Sequence, residues 1–282
     1  MNFIEAIILG IIQGLTEFLP ISSTAHLTLS GKFLGLISNE KPESWTAFMA
    51  VIQIGTLIAV LIYFRQDLIN ILSDFFRDNL FSIKSFSQQS YNSKLGWYII
   101  LGSIPVVVIG LLFKDFIEGT FTKNLYVISL SLIILAIILG LAEKFGKFSK
   151  DEKSLGVFSS IIIGIAQAFA LIPGSSRSGT TITAGLFLGF KRDVAARFSF
   201  LLSIPAVMGS GLLEFYQAMK YMNNTEMINL ILGTISAAIS GYVAIHFLIT
   251  FLKKHSTFVF IYYRIIIGAT ILLLIYFNII KP

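Results

Sequence analysis

Gln13-Gly-Leu-Thr-Glu-Phe-Leu-Pro-Ile-Ser-Ser-Thr-Ala-His26 and Gln167-Ala-Phe-Ala-Leu-Ile-Pro-Gly-Ser-Ser-Arg-Ser-Gly-Thr-Thr181 each plant polar groups inside strongly apolar sequence. They follow one plan. Gly10, Gln13, Pro20, Ser22 and Ser23 align with Gly164, Gln167, Pro173, Ser175 and Ser176 if one gap is allowed, and Leu34-Gly35 then meets Leu188-Gly189. In each copy an apolar helix breaks at its proline, and hydroxyl residues suited to capping a second helix follow. Each copy therefore reads as a helix, a turn and a returning helix that re-enters the membrane from one side.

Working outward, apolar runs of the roughly 20 residues that cross a bilayer fall near 46–64, 96–113, 125–142, 198–219, 228–252 and 257–278. Three of them lie between the two interrupted segments, so the second segment enters from the opposite face. The expected fold is an all-α polytopic membrane protein with six transmembrane helices and two re-entrant pairs in an inverted-topology repeat. It forms a single membrane domain, 1–282, with halves near 1–145 and 156–282. Non-helical backbone at membrane depth survives only in contact with protein or a water-filled cavity. The two turns should therefore meet inside the bundle, where paired broken helices mark a site near the midplane.

Composition agrees. With 55% hydrophobic and 13% charged residues in 282, and a mean hydropathy of +0.83, the chain has too little polar surface for a soluble globule of this size. The net charge of +6 sits in short clusters between apolar runs, which sets orientation rather than nucleic-acid binding. One side gathers Arg65, Arg77, Lys84, Lys94, Lys144, Lys147, Lys150, Lys153, Lys191, Arg192, Arg197, Lys253 and Lys254. The other has Lys32, Lys41, Lys114, Lys123, Lys220 and Lys281. The first side is read as cytoplasmic, so the first re-entrant pair and both termini face outward. Residues 2–12 have no preceding Lys or Arg and are read as part of the mature fold. The polar stretch Gln66–Lys94 is expected at the cytoplasmic surface, partly helical.

Absent chemistry narrows the function. There is no cysteine, which removes disulfides, thiolate catalysis and thiolate metal sites. Nor is there a Walker loop, a His-Glu-x-x-His or a G-x-S-x-G elbow. The first motif places Gln13 and Glu17 one turn apart on one helix face, then offers Ser22, Ser23 and Thr24 as caps and His26 in the returning first turn. Glu17 in lipid costs about 2.5–3.5 kcal/mol on insertion scales, more than a capping role alone accounts for. The second motif has Leu171 near the position of Glu17 and, in the gapped alignment, Arg177 for Thr24 and Gly179 for His26. Around Arg177 stand Gly174, Ser175, Ser176, Ser178 and Thr181, an anion cradle to which two helix N-termini add N–H groups and positive dipole ends. One copy thus offers nucleophile and proton-transfer groups and the other holds an anion, a division suited to cleaving a phosphoanhydride. Alternatives remain: Arg177 as a charge partner of Glu17, most serines as caps, His26 as a satisfied interior histidine, and Gln167 as a packing amide. Arg264 reads as snorkelling or pairing with an acid such as Glu214, outside the site. Trp45 and Trp97 read as interface anchors.

Over its whole length, and above all in the Gln13–His26 stretch and in Pro173-Gly-Ser-Ser-Arg-Ser-Gly-Thr-Thr181, the sequence resembles bacterial undecaprenyl-diphosphate phosphatases, the family linked to bacitracin resistance. The resemblance implies a hydrolase of the cytoplasmic membrane that removes the terminal phosphate of the C55 isoprenoid diphosphate at an outward-facing site, with a divalent cation, Mg2+ or Ca2+. It implies catalytic roles for Glu17, Ser23, His26 and Arg177, and leaves room for a homodimer. Gln13 stands where the family has Glu or Gln, and Gln13 with Glu17 is the expected cation pair. Substrate binding is expected at Gln13, Ser22, Thr24, Gly174, Ser175, Ser176, Ser178 and Thr181. Either Ser23 or His26 is the nucleophile; in the arrangement preferred, Ser23 attacks and His26 takes its proton. Ala25 stands where glycine is frequent. The rival class is a transporter of the lipid monophosphate or another anion, since inverted repeats with broken helices are a transporter architecture.

Overall fold

The computed structural model describes residues 1–37, 42–113, 124–218 and 224–281. Asn2 opens the chain with a capping box, accepting the Glu5 N–H at 2.9 Å while the Glu5 carboxylate accepts the Asn2 N–H at 2.7 Å. Helix α1 (Phe3–Phe18) buries Ala6, Leu9, Gly10, Gln13, Gly14 and Glu17 on one face. It turns Ile4, Ile8, Ile11 and Leu15 outward, so the conventional order of a helix is reversed: polar groups lie inside and isoleucines face outward. A turn at Leu19–Ser22 leads into α2 (Ser23–Phe33). Next come α3 (Pro42–Tyr63) and α4 (Arg65–Phe76), then α5 (Tyr91–Leu112) and α6 (Leu125–Phe145). The second interrupted segment is α7 (Val157–Ala168), a 3-10 turn at Phe169–Leu171 and α8 (Arg177–Phe187). Three long helices complete the chain: α9 (Arg192–Ala218), α10 (Asn224–Leu252) and α11 (Phe258–Tyr276).

The protein is an all-helical membrane protein. Among the described residues the only β pairing is an isolated bridge between Lys150 and Phe190. Among the described residues five helices, α5, α6, α9, α10 and α11, are long and apolar enough to cross a membrane. They account for five of the six expected runs. The run at 46–64 falls on α3, whose axis bends by 75° into the segment Arg65–Phe81, and the bent pair makes a sixth candidate only if taken as one span. The polar stretch after it is mostly helical and is knitted by buried Asp78, which accepts Lys84 Nζ at 2.8 Å and the Ser90 N–H at 2.8 Å.

Glycines decide how the two interrupted segments are held. α1 packs on α10 and α7 on α5. A side chain at Gly10 would run into the carbonyl oxygen of Gly233, and one at Gly164 into that of Gly102. The two contacts use matching glycines and exchange partners between halves: the first half's broken helix lies on the second half's α10, and the second half's on the first half's α5. Trp45 is not an interface anchor. It is buried, with its ring 5.9 Å from that of Phe48, in a pocket left by Gly31.

Candidate active site

The interrupted helices meet at their turns. Ser22 and Ser176 directly precede α2 and α8 with the same rare backbone, φ 74° and ψ 99° in one and φ 67° and ψ 107° in the other. Residues with a Cβ seldom adopt positive φ. Each serine caps its own helix, accepting the Ala25 N–H at 3.4 Å or the Gly179 N–H at 3.2 Å. Counted from these caps, the two copies keep one constant separation through Gly10 and Gly164, Gln13 and Gln167, Ser22 and Ser176, and Gly35 and Gly189. The gap is therefore unnecessary, and the alignment is corrected. Ser23 matches Arg177 rather than Ser176, Thr24 matches Ser178, and His26 matches Thr180; the prolines are one residue out of step because the turns, not the prolines, are equivalent.

Glu17, at the end of α1, ties the turns together. Its Oε1 accepts Arg177 Nη2 at 2.9 Å, and its Oε2 accepts Ser23 Oγ at 2.6 Å and Gln13 Nε2 at 3.0 Å. Gln13 and Glu17 bond across one helical turn, as their spacing requires. The guanidinium is steadied by Ser199, whose carbonyl lies 3.5 Å from Arg177 Nη1 and whose hydroxyl lies 2.6 Å from Thr181 Oγ1. Ser178 Oγ donates to Leu19 O at 3.1 Å, fastening α8 to the other turn.

A cavity of about 570 Å3 opens over this group. Glu17, Ser22, Ser23 and Thr24 reach it from the first turn, and Gly174, Ser175, Ser176 and Arg177 from the second. Gln13, His26, Ser178 and Thr181 do not line it; Ser178 and Thr181 brace the turns instead. His26 is not brought onto Ser23. Its Nδ1 lies 2.7 Å from the Ser22 carbonyl, which can only accept, so Nδ1 carries the hydrogen. Its Nε2 lies 2.7 Å from Tyr263 OH, against whose ring it stacks at 5.6 Å. The expected serine–histidine pair is replaced by serine–carboxylate.

Three polar residues join the site that the motifs did not assign to it. Gln167 lines the cavity with both amide atoms buried and without a hydrogen-bond partner. Gln53, from the middle of α3, lines the opposite wall. Arg264 neither snorkels nor reaches the surface: it is fully buried, and its Nη2 donates to Ser175 O at 3.0 Å and approaches Gly174 O at 3.5 Å. Its Nε and Nη1 have no partner, and Nη1 lies against Gly179 in the first turn of α8. The side chain of Glu214 lies outside the described residues. A charge centred in the apolar run of α11 is the one sequence signal that pointed to Arg264.

Arg177 on the Glu17 carboxylate, Arg264 behind the second turn and two helix starts at the turns together supply more positive than negative charge, a balance that favours an incoming anion. For a hard divalent cation the donor set has the right chemistry, oxygen only: the Glu17 carboxylate and the Gln13 Oε1, which is buried without a partner. Among the described residues no three acids or histidines cluster around one point, so oxygens of a bound phosphate ligand would have to complete such a site.

Polar turns buried in an apolar bundle, with a hydroxyl and a guanidinium on one carboxylate, define a membrane-embedded protein that acts on an anion. Comparison with known proteins narrows the class. The family described as bacitracin resistance protein BacA matches residues 6–270, and the chain belongs to that family. It is 55% identical over 276 residues to the undecaprenyl-diphosphatase of Syntrophobacter fumaroxidans, covering 98% of both chains. It is 50% identical to that of Chloroherpeton thalassium, covering 96% of both, and 48% identical to that of Chlorobium chlorochromatii over the full length of both.

Proposed function

We infer that this chain hydrolyses undecaprenyl diphosphate to undecaprenyl phosphate and inorganic phosphate, recycling the lipid carrier of cell-wall synthesis and conferring bacitracin resistance. The full-length relatives named for that activity support the substrate. The observation that carries the chemistry is Glu17, bonded at once to the Ser23 hydroxyl and the Arg177 guanidinium on the floor of the cavity.

The terminal phosphate binds at Arg177, at the N–H groups left open in the first turn of α8 and at the unpartnered Ser175 hydroxyl. Ser23 Oγ attacks the terminal phosphorus while Glu17 Oε2 takes its proton. The bond from that phosphorus to the bridging oxygen breaks, and undecaprenyl phosphate leaves with the electron pair. Water then attacks the phosphoserine, inorganic phosphate departs, and Glu17 returns the proton to Ser23. Glu17 is the base in this scheme because it is the group within 2.6 Å of the hydroxyl. His26 orders the turn through Ser22 and Tyr263. Glu17 and Gln13 would hold a divalent cation, Mg2+ or Ca2+, whose contribution when bound is to neutralise charge on the diphosphate.

For topology, six spans, two re-entrant pairs and an inverted repeat within one domain remain our reading. It is supported by the glycine contacts of α1 with α10 and of α7 with α5, and by the matching backbone of Ser22 and Ser176. Arg192 bonds Glu143, and Arg197 bonds Asp67 and Glu152; Lys32 Nζ donates to Lys281 O at 2.7 Å. These contacts agree with two separate ends of the bundle; on the charge asymmetry of the sequence, the site is read as opening to the outer face of the cytoplasmic membrane. Lys41, Lys114, Lys123 and Lys220 lie outside the described residues.

The deciding experiment is phosphate release from C55 diphosphate by purified protein in detergent, with and without Mg2+ or Ca2+, beside folded Glu17→Gln and Arg177→Ala variants. Release that disappears in both variants is the expected result. No release by folded wild-type protein under any cation condition would sink the reading and favour transport.

A further inference from the structure

The cavity continues as one volume from Glu17 and Arg177 to Leu111 on α5 and Leu213 on α9. These two helices share a short pattern, Leu101-Gly-Ser-Ile-Pro105 and Leu201-Leu-Ser-Ile-Pro205. Before the prolines they touch: a Cβ at Gly102 would lie 2.9 Å from Leu202 Cδ1. Beyond the prolines, among the described residues, a Cβ at Gly110 or at Gly209 would meet nothing within 4 Å. A proline inside a helix removes one backbone hydrogen bond and bends the helix. Ser103 and Ser203 add hydroxyl bonds to the preceding turn, at 2.7 Å to Ile99 O and 2.6 Å to Phe200 O. The helix pair is therefore closed at one end and open at the other, a wedge whose mouth is lined by Val107, Leu111 and Leu213, all exposed.

Gly110 and Gly209 are unlike the glycines that hold the bundle together. Gly10, Gly55, Gly102 and Gly164 each answer a close approach of backbone; these two answer none. A glycine within a helix is less favourable than alanine, so two of them on facing helices, with nothing beside them among the described residues, call for an occupant. The space is largely apolar, continuous with the polar residues around Glu17 and Arg177, and walled by α5 and α9 together with Ala50 and Gln53 of α3.

We propose that this wedge seats the single polyisoprenoid chain of the substrate, and that Gly110 and Gly209 set which lipid tails reach the phosphate site. The proposal rests on the diphosphatase reading above and adds to it the residues that choose the tail. A chain with methyl branches needs a slot free of side chains along its path. A headgroup at Arg177 has this slot as the apolar continuation of its cavity.

The test compares Gly110→Phe and Gly209→Phe with Val108→Phe, whose exposed position on α5 lies off the cavity. KM and kcat are measured for C55 diphosphate and for geranyl diphosphate, whose tail is too short to fill the wedge. Expected is a rise in KM for C55 diphosphate of about tenfold or more in the two glycine variants, with geranyl diphosphate changed less than about twofold. Val108→Phe should match wild type. Unchanged C55 kinetics, or equal losses on both substrates in variants that melt like wild type, would overturn the proposal.

A second measurement does not depend on turnover. The chain has no cysteine, so Gly209→Cys carries a unique thiol for maleimide labelling in detergent. C55 diphosphate should slow labelling and phosphatidylglycerol, with two chains, should not. Protection by phosphatidylglycerol, or none by C55 diphosphate, refutes the wedge as a single-chain seat. Wild-type protein that hydrolyses neither diphosphate while the thiol is still protected by the C55 lipid would instead refute the diphosphatase reading and leave the lipid seat standing.

Discussion

Ser23 and Arg177 occupy the same place in two matched turns, the first residue of α2 and the first of α8, and both reach Glu17, at 2.6 Å and 2.9 Å. Two turns of matching backbone thus supply two equivalent positions, and the different side chains there separate hydroxyl from cation. The carboxylate is not duplicated, since Leu171 matches Glu17. One acid therefore serves both turns and fixes the distance between the Ser23 hydroxyl and the Arg177 guanidinium.

That geometry predicts different kinetic signatures for the two residues. Ser23→Ala removes the attacking atom and should lower kcat by at least about 10²-fold, on the scale of positioned proton-transfer chemistry, with little change in KM. Arg177→Lys keeps the charge but loses the planar fork, so KM should rise more than kcat falls. Steady-state phosphate release from C55 diphosphate separates the two; a Ser23→Ala variant with full kcat would remove Ser23 as nucleophile.

In the Glu17–Arg177 pair the carboxylate is buried and the guanidinium nearly so; breaking a buried pair typically costs about 3–5 kcal/mol because one charge is left unmatched. Glu17→Gln and Arg177→Gln should each lower the melting temperature in detergent. The double variant, with no charge to strand, should recover part of that loss while releasing no phosphate. A double variant as unstable as the sum of the singles would mean the pair is not coupled.

Much of this was legible in the sequence because it is local. Apolar runs, a proline followed by hydroxyls, and Gln13 one turn before Glu17 announce spans, breaks and a bonded pair without tertiary knowledge. The register of the repeat was misread by one residue because Pro20 and Pro173 look equivalent in sequence, whereas equivalence is set by the positive-φ serines, whose conformation no residue type encodes. The partner of Ser23 was misassigned for a related reason: His26 is near it in sequence, but its ring nitrogens turn to Ser22 and Tyr263. The charge of Arg264 in an apolar run stands out in the sequence, but its place in the site does not, because its partners are carbonyl oxygens of a distant turn.

Arg264 should prove structural for the cradle and electrostatic for the anion. Arg264→Gln removes the bond to Ser175 O and the charge behind the first turn of α8, and hydrogen bonds to charged groups contribute about 1.5–3 kcal/mol. It should lower both melting temperature and affinity for C55 diphosphate. Arg264→Lys keeps charge in the same volume and should restore affinity more than stability. Equal affinity in the glutamine variant and wild type would confine Arg264 to holding the turn.

The glycines provide the sharpest contrast, because the same substitution should have opposite consequences at positions that look alike in sequence. Gly10→Ala and Gly164→Ala each drive a methyl group into a carbonyl oxygen of the facing helix, Gly233 or Gly102. Backbone cannot swing aside as a side chain can, so the helices must separate, and overpacking of this kind costs about 1–3 kcal/mol. Both variants should melt lower, and both should lose activity, since α1 carries Glu17 and α7 leads into the turn before Arg177. Gly110→Ala and Gly209→Ala place the same methyl group in open space. There the helix gains the roughly 1 kcal/mol that alanine holds over glycine, so these variants should melt at or above the wild-type temperature. Thermal unfolding of all four in one detergent checks the prediction, and a fall at Gly209 as large as that at Gly10 would contradict the separation of α5 and α9 beyond their prolines.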